Sequence, residues 1–378
     1  MRKQNLAQSL AVESQIRLPG SAGRLIHQIR DVMKVAPLFK ELGLVKSVER
    51  PKVIDLHVAG IATHSCIKGT FGGYIFASGA VCTEMNIEQN QVSSGGSDSL
   101  SELDDIDFEA QRKRLDLIEI RQAYQLVERQ LKQGSKAKLI LVDTPLFLDR
   151  AMAPLDRNIK HGEEYQKTKA CISDFWRQYR EHLFPWNPHG PVLASIVAER
   201  FSAIVSIAKQ DLRNTDGHSY LLCSDKLDDA NLNKLQDLES SLRGIGDKRF
   251  IHGILSAFSR TIAFRLSDSS LRMEPAESVA AGVVGFHYRG GQSSQIQMVQ
   301  LAGEEQDWDT AKLDAVAWKL MALDIHGQSK TKPLPQLLAM HQLKMLDQFA
   351  NYYRQGLSDA IKNNEVEDTW LSGLDEDL

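Results

Sequence analysis

The stretch KLILVD at residues 138–143 constrains the fold more than any other. An apolar run of strand length closing on an acid reads as a strand buried on both faces, as in the parallel core of an α/β sheet. Directly before it, Leu117, Ile120, Tyr124, Val127 and Leu131 recur at steps of three and four within residues 109–133. That spacing is one apolar stripe of an amphipathic helix, which Gly134 closes. Further upstream, residues 52–58 form a short apolar run, and residues 69–82 (GTFGGYIFASGAVC) are rich in β-branched, aromatic and glycine residues. The two segments predict adjacent strands. Strands, a helix and a buried strand in that order predict an α/β core over residues 51–150.

The flanking segments have other textures. The first fifty residues read as helical and mildly basic, with Ile26, Ile29, Met33 and Val35 as an apolar face and Pro37 as punctuation. Residues 85–107, with SSGGSDS at 93–99 and the acids Asp104, Asp105 and Asp107, read as a polar loop or insertion. The segment at about 151–190 is mostly helical and ends near a turn, FPWNPHGP, after which VLASIVA at 192–198 is another buried strand. Residues 211–247 are a polar connector with short helices, residues 283–301 a hairpin around Gly290 and Gly291, and helices continue to about residue 362. Strand signals on both sides of the helical middle predict one interrupted domain. The expected plan is a helical segment over 1–50, a single domain over 51–362 with its core at 51–150, a helical insertion at about 151–190 and the remainder of the core at 191–362, and an acidic tail at 363–378.

A formal net charge of −4 over 378 residues excludes a chain that grips nucleic acid by bulk positive charge, but not one with a local basic groove. The four cysteines, Cys66, Cys82, Cys171 and Cys223, form no C-x-x-C pair, which argues against a zinc ribbon or a disulfide framework. No apolar run of signal-peptide length opens the sequence, and none reaches the ~20 residues of a membrane span. The expectation is a reduced, cytoplasmic protein that does not enter a membrane.

Three acids and a histidine are candidates for chemistry. Asp55, in VIDLH, is either a strand-end acid capping a turn or a paired or metal-bound carboxylate, since an acid in an apolar strand is costly otherwise. Its D-x-H spacing opens a metallophosphatase signature, but the G-N-H that should follow is absent. Asp143 ends the buried strand, where open α/β sheets gather their ligands. A haloacid-dehalogenase reading needs a second aspartate two residues on, and position 145 is proline. Glu119 borders the apolar stripe of the helix, either as an ordinary boundary residue or, with the helix packed on the sheet, facing Asp55 and Asp143. Three such carboxylates make a hard, all-oxygen site that selects Mg²⁺ or Mn²⁺, whose usual work is phosphodiester or phosphoryl chemistry. His341 lies in PLPQLLAMHQL on the helical face of Leu334, Leu338 and Met345, either as a satisfied core residue or as a partner of the carboxylates.

These positions, in this order, resemble the NurA nuclease family of prokaryotic DNA-end-processing enzymes. The likeness is carried by KVID at 52–55 with its glycine-rich following strand, RLDLIEIR at 114–121, LILVDTPL at 139–146 and PLPQLLAMH at 333–341. It spans roughly residues 51–350. The resemblance implies an RNase H-like core, with Asp55, Glu119 and Asp143 as Mn²⁺ or Mg²⁺ ligands and His341 as a further ligand or proton-transfer partner. It also implies a homodimer and a HerA-type hexameric ATPase that feeds DNA to the nuclease, in DNA repair or phage defence. The sequence departs from the family at Leu56-His57, where Gly-Ser usually follows the first aspartate, and at Thr144-Pro145, where Gly commonly follows the second. It also lacks a tyrosine near Thr331-Lys332. These departures motivate an alternative, a weakly active or inactive adaptor that docks a motor ATPase. Arg112, Lys113, Arg114 and Arg200 are candidates for DNA contact or for a solvated helix face.

Overall fold

The computed structural model describes residues 6–49, 54–70, 73–148, 150–197, 227–236, 245–266, 282–292, 294–327 and 332–362. Strand β5 (Leu139–Val142) has all four residues buried, as its unbroken apolar sequence requires. It runs parallel to β2 (Leu56–Thr70) on one side and to β6 (Val192–Val197) on the other. Beyond β2 lie β3 (Gly73–Glu88) and β4 (Gln91–Ile106), both antiparallel. Beyond β6 come β10 (Gln297–Ala302), β9 (Val283–Arg289), β7 (Ser259–Thr261) and β1 (Val45–Ser47). A short strand, β8 (Phe264–Arg265), also pairs with β9, so segments from both sides of the helical middle join one mixed sheet.

Each face of this sheet has its own layer. Strand residues alternate between faces with a period of two. Ala59 and Ile61 therefore pack with Leu117, Ile120 and Tyr124 of helix α2 (Gln111–Lys132). Leu56 and Val58 belong to the opposite layer with Leu313, Leu320 and Leu323 of a helix over Thr310–Gly327. Helix α3 (Ile159–Tyr179) covers α2, and the indole of its buried Trp176 donates to the Tyr124 hydroxyl at 3.2 Å. That hydroxyl donates in turn to the Leu146 carbonyl at 2.7 Å, tying both helices to the chain leaving β5. Two short helices, α4 (Asp229–Gln236) and α5 (Asp247–Ile254), precede the Thr310–Gly327 helix, which is therefore α6. After it come α7 (Leu334–Leu343) and α8 (Leu346–Lys362). The acidic tail lies outside the described residues.

Three expectations are corrected. Residues 85–107 are not a loop: β3 and β4 form a long hairpin, with a register shift between Thr83 and Met85. Strand β4 is almost wholly exposed, and its serines and acids blunt an outer edge rather than fill a core. The run at 52–58 is only the entry to a strand of 15 residues, β2. Helix α1 (Leu6–Glu41) continues through Pro37, and its buried side is Val32, Val35 and Phe39, whereas Ile26, Ile29 and Met33 are exposed.

Helix α6 carries an acid into the core. The Asp324 carboxyl lies against Gly290, within 3.5 Å of the Tyr288 hydroxyl, and burial pushes its pKa up to about 8, partly offset by that hydroxyl. The native state thus keeps a proton that the unfolded chain releases near pH 4. Stability contributed by the protonated acid is complete below the unfolded value and is lost as pH rises toward 8. Asp324→Asn is expected to gain stability relative to wild type by on the order of 2 kcal/mol between pH 5 and pH 8, after allowing for relaxation around the buried charge. Urea melts of both proteins at the two pH values test this, and a pH-independent difference would refute it.

Candidate functional site

Asp143 follows the last residue of β5, at the carboxyl end of the parallel strands. Its side chain is 5% exposed. Oδ1 accepts from the Thr63 backbone N–H and from the Thr63 hydroxyl, both at 3.0 Å. Oδ2 accepts from the same N–H at 3.2 Å and from the Lys332 ammonium at 2.7 Å. Thr63 has the strand parity of Ala59 and Ile61, so it faces α2, where Glu119 points back at it. Glu119 Oε2 lies 3.4 Å from the Thr63 hydroxyl, and Oε1 accepts from the Ser65 hydroxyl. The single Thr63 hydroxyl proton therefore serves two carboxylates in turn. Ser65 also presents its oxygen to Arg112, whose guanidinium is 4.0 Å from Glu119 Oε1. Burial raises the Glu119 pKa, opposed by the Ser65 hydrogen bond and by Arg112, while Asp116 and Asp143 raise it further.

The structure brings Glu119 and Asp143 together and leaves Asp55 and His341 apart from them. Asp55 is exposed just before β2, where it accepts from the Gln89 N–H at the β3–β4 turn, 2.8 Å away. Eight residues of strand separate it from Thr63, or about 26 Å at ~3.3 Å per residue. This is the turn-capping role weighed for it in the sequence. His341 is exposed on α7, whose buried residues Pro335, Gln336, Ala339 and Leu343 face the sheet. Ala339 packs on Ala62, which has the opposite parity to Thr63, so the sheet itself separates α7 from Glu119. Among the DNA-contact candidates, Arg112 stands at the site, and Lys113 is exposed. Arg114 is paired with Asp107 at 2.7 Å, and Arg200 lies outside the described residues.

Thr63, Ser65 and Lys332 escaped the sequence reading. Two hydroxyl residues two apart in an apolar strand were the available signal for the first pair, since they must share one face. No group of three or more His, Cys, Asp or Glu side chains suited to a metal occurs among the described residues. Glu119, Asp143 and the two hydroxyls are nevertheless hard oxygen donors. Such a set fits a Mg²⁺-like ion that takes its other ligands from water and substrate phosphate, not a closed protein cage.

No protein-family model matches the chain, and no curated protein matches it in sequence. Among solved structures, the NurA nuclease from Sulfolobus solfataricus is similar at 15% identity and a TM-score of 0.52, over 97% of this chain and 99% of that one. A second NurA crystal structure matches at 11% identity and a TM-score of 0.47, over 94% and 99%. Endonuclease V from Bacillus subtilis matches at 11% identity and a TM-score of 0.34, over 85% and 92%. Among the described residues no helix is long and apolar enough to cross a membrane. The chain has an RNase H-like mixed sheet with helical segments before and after it, and it shares its fold with the NurA nuclease structure.

Proposed function

We propose that this chain is a metal-dependent DNA nuclease of the NurA type, cleaving phosphodiester bonds at Glu119 and Asp143. The observation that carries this reading is the convergence of those two carboxylates on Thr63, at the carboxyl end of β5 in this fold. Glu119 and Asp143 would hold Mn²⁺ or Mg²⁺, with Thr63 and Ser65 orienting them. The ion supplies the usual activation of water and stabilisation of the leaving oxygen. Arg112, 66% exposed beside Glu119, suits a backbone phosphate entering from solvent. A homodimer that receives DNA from a HerA-type hexameric ATPase, in repair or phage defence, completes the proposal. Incubation of linear duplex and single-stranded DNA with Mn²⁺ tests it, comparing wild type with Glu119→Gln. Cleavage by wild type alone supports the reading, and equal cleavage by both proteins defeats it.

A second reading has its own support. Each carboxylate already faces a cation, Asp143 facing Lys332 and Glu119 facing Arg112, and Asp55 stands elsewhere. A non-cutting adaptor that keeps the nuclease fold to dock a motor ATPase would tolerate this arrangement. Absence of any cleavage by wild type, together with stable association with a HerA-type ATPase, would favour it.

A further inference from the structure

We propose that Lys332 is the resident cation of this site: its ammonium group occupies the place on Asp143 that a divalent ion would take, so ion and lysine compete for one carboxylate. The inference builds on the reading of Glu119 and Asp143 as the site's centre.

An ionised carboxylate offers about four lone-pair positions. On Asp143 they are met by the Thr63 N–H, shared between both oxygens, by the Thr63 hydroxyl and by Lys332. With three donors in place, a dication gains full access to the carboxylate only if one of them withdraws. The Thr63 N–H belongs to a strand fixed between β5 and β3, and the Thr63 hydroxyl can turn its proton to Glu119 while its oxygen stays beside Asp143. Lys332 sits on a four-carbon stem with rotatable donors, just ahead of α7, and its side chain is 25% exposed. The lysine is therefore the donor that yields.

Charge leads to the same conclusion. Glu119, Asp143 and Asp116, which pairs with Arg112 at 3.1 Å, stand against two positive groups, Arg112 and Lys332. A dication entering this partly neutralised cluster gains less than one entering the same carboxylates without their cations. A substrate phosphate changes the balance, because it offers the displaced ammonium a new partner. The ion and a phosphate-bearing substrate then favour each other's binding.

The test is the affinity for Mn²⁺ alone, without DNA, read by calorimetric titration and by the shift in melting temperature. Lys332→Met is expected to bind Mn²⁺ ~10-fold or more tightly than wild type, the scale of one hydrogen bond between charged groups. Lys332→Arg keeps the charge and should stay near wild type, while adding Asp143→Asn to Lys332→Met should abolish the gain. Should the methionine variant not fold, Lys332→Gln is expected to show a gain of the same direction. Equal or weaker binding by the neutral variants, or no binding by any form, would overturn the proposal. With no DNA present, a protein that shows the gain but never cleaves would defeat the nuclease reading and leave the competition standing.

Discussion

Asp143→Asn is expected to abolish metal-supported cleavage of linear DNA, whereas Asp55→Ala leaves it unchanged. The two aspartates make the sharpest contrast in the molecule, because sequence alone assigns them the same chemistry. Asp143 touches Thr63 and Lys332 in a nearly closed setting, and Glu119 is one hydroxyl away. The amide keeps its shape but loses the negative charge and one acceptor. The effect should exceed the ~10–100-fold typical of groups that merely support metal ligands. The lost charge also weakens the hold on the Lys332 ammonium, so some loss of stability accompanies the loss of activity. Asp55 is exposed and, among the described residues, caps the Gln89 N–H, so its removal costs about 1 kcal/mol or less of stability. Single-turnover cleavage assays separate the two effects when run on variants shown to be folded by circular dichroism. Loss of activity in Asp55→Ala with retention in Asp143→Asn would invert the assignment of the site.

How much of this was readable in advance follows from which interactions are local. Strand β5 and the stripe of α2 were legible because burial imposes a pattern within a few residues, and Leu117, Ile120, Tyr124 and Val127 are all buried as the spacing requires. Strand β4 was not, because it is exposed on both faces and its Ser, Gly and Asp residues have no strand preference of their own. It is a strand because β3 pairs with it along nearly its whole length. The approach of Glu119 to Asp143 was foreseeable, since a helix leading straight into a buried strand packs against it. Asp55 stands apart from them because the first strand runs on well past residue 58. Once β2 is extended to Thr70, the residue that meets Asp143 just past the end of β5 is Thr63, and Asp55 falls at the other end. Lys332 is 189 residues from Asp143 in sequence, and no local pattern announces a contact of that kind.

That distant contact depends on one glycine. Gly60 lies on the face of β2 that receives α7, and a methyl group there would come within 2.5 Å of Pro335 Cβ and 2.6 Å of the Gln336 backbone nitrogen. Neither neighbour can rotate away, since one belongs to a proline ring and the other to the first turn of a helix. The Gln336 amide also donates to the Ile61 carbonyl at 3.3 Å inside the same contact. Gly60→Ala must therefore lift the start of α7 from the sheet, and we expect a cost of about 3 kcal/mol, at the upper end for overpacked cores. Gly79→Ala is the control. Its added methyl would meet Leu346 Cδ1 at 3.2 Å and the Leu100 carbonyl oxygen at 3.3 Å, and the leucine tip can give way. Its cost should stay below about 1 kcal/mol. Because Lys332 lies three residues before Pro335, lifting α7 also draws the ammonium from Asp143. Gly60→Ala should then share the tighter Mn²⁺ binding expected of Lys332→Met, while Gly79→Ala should not. Urea denaturation measures the first effect and metal titration of the folded variants the second. Equal stability of the two alanine variants would mean that the Gly60 contact does not hold α7 in place.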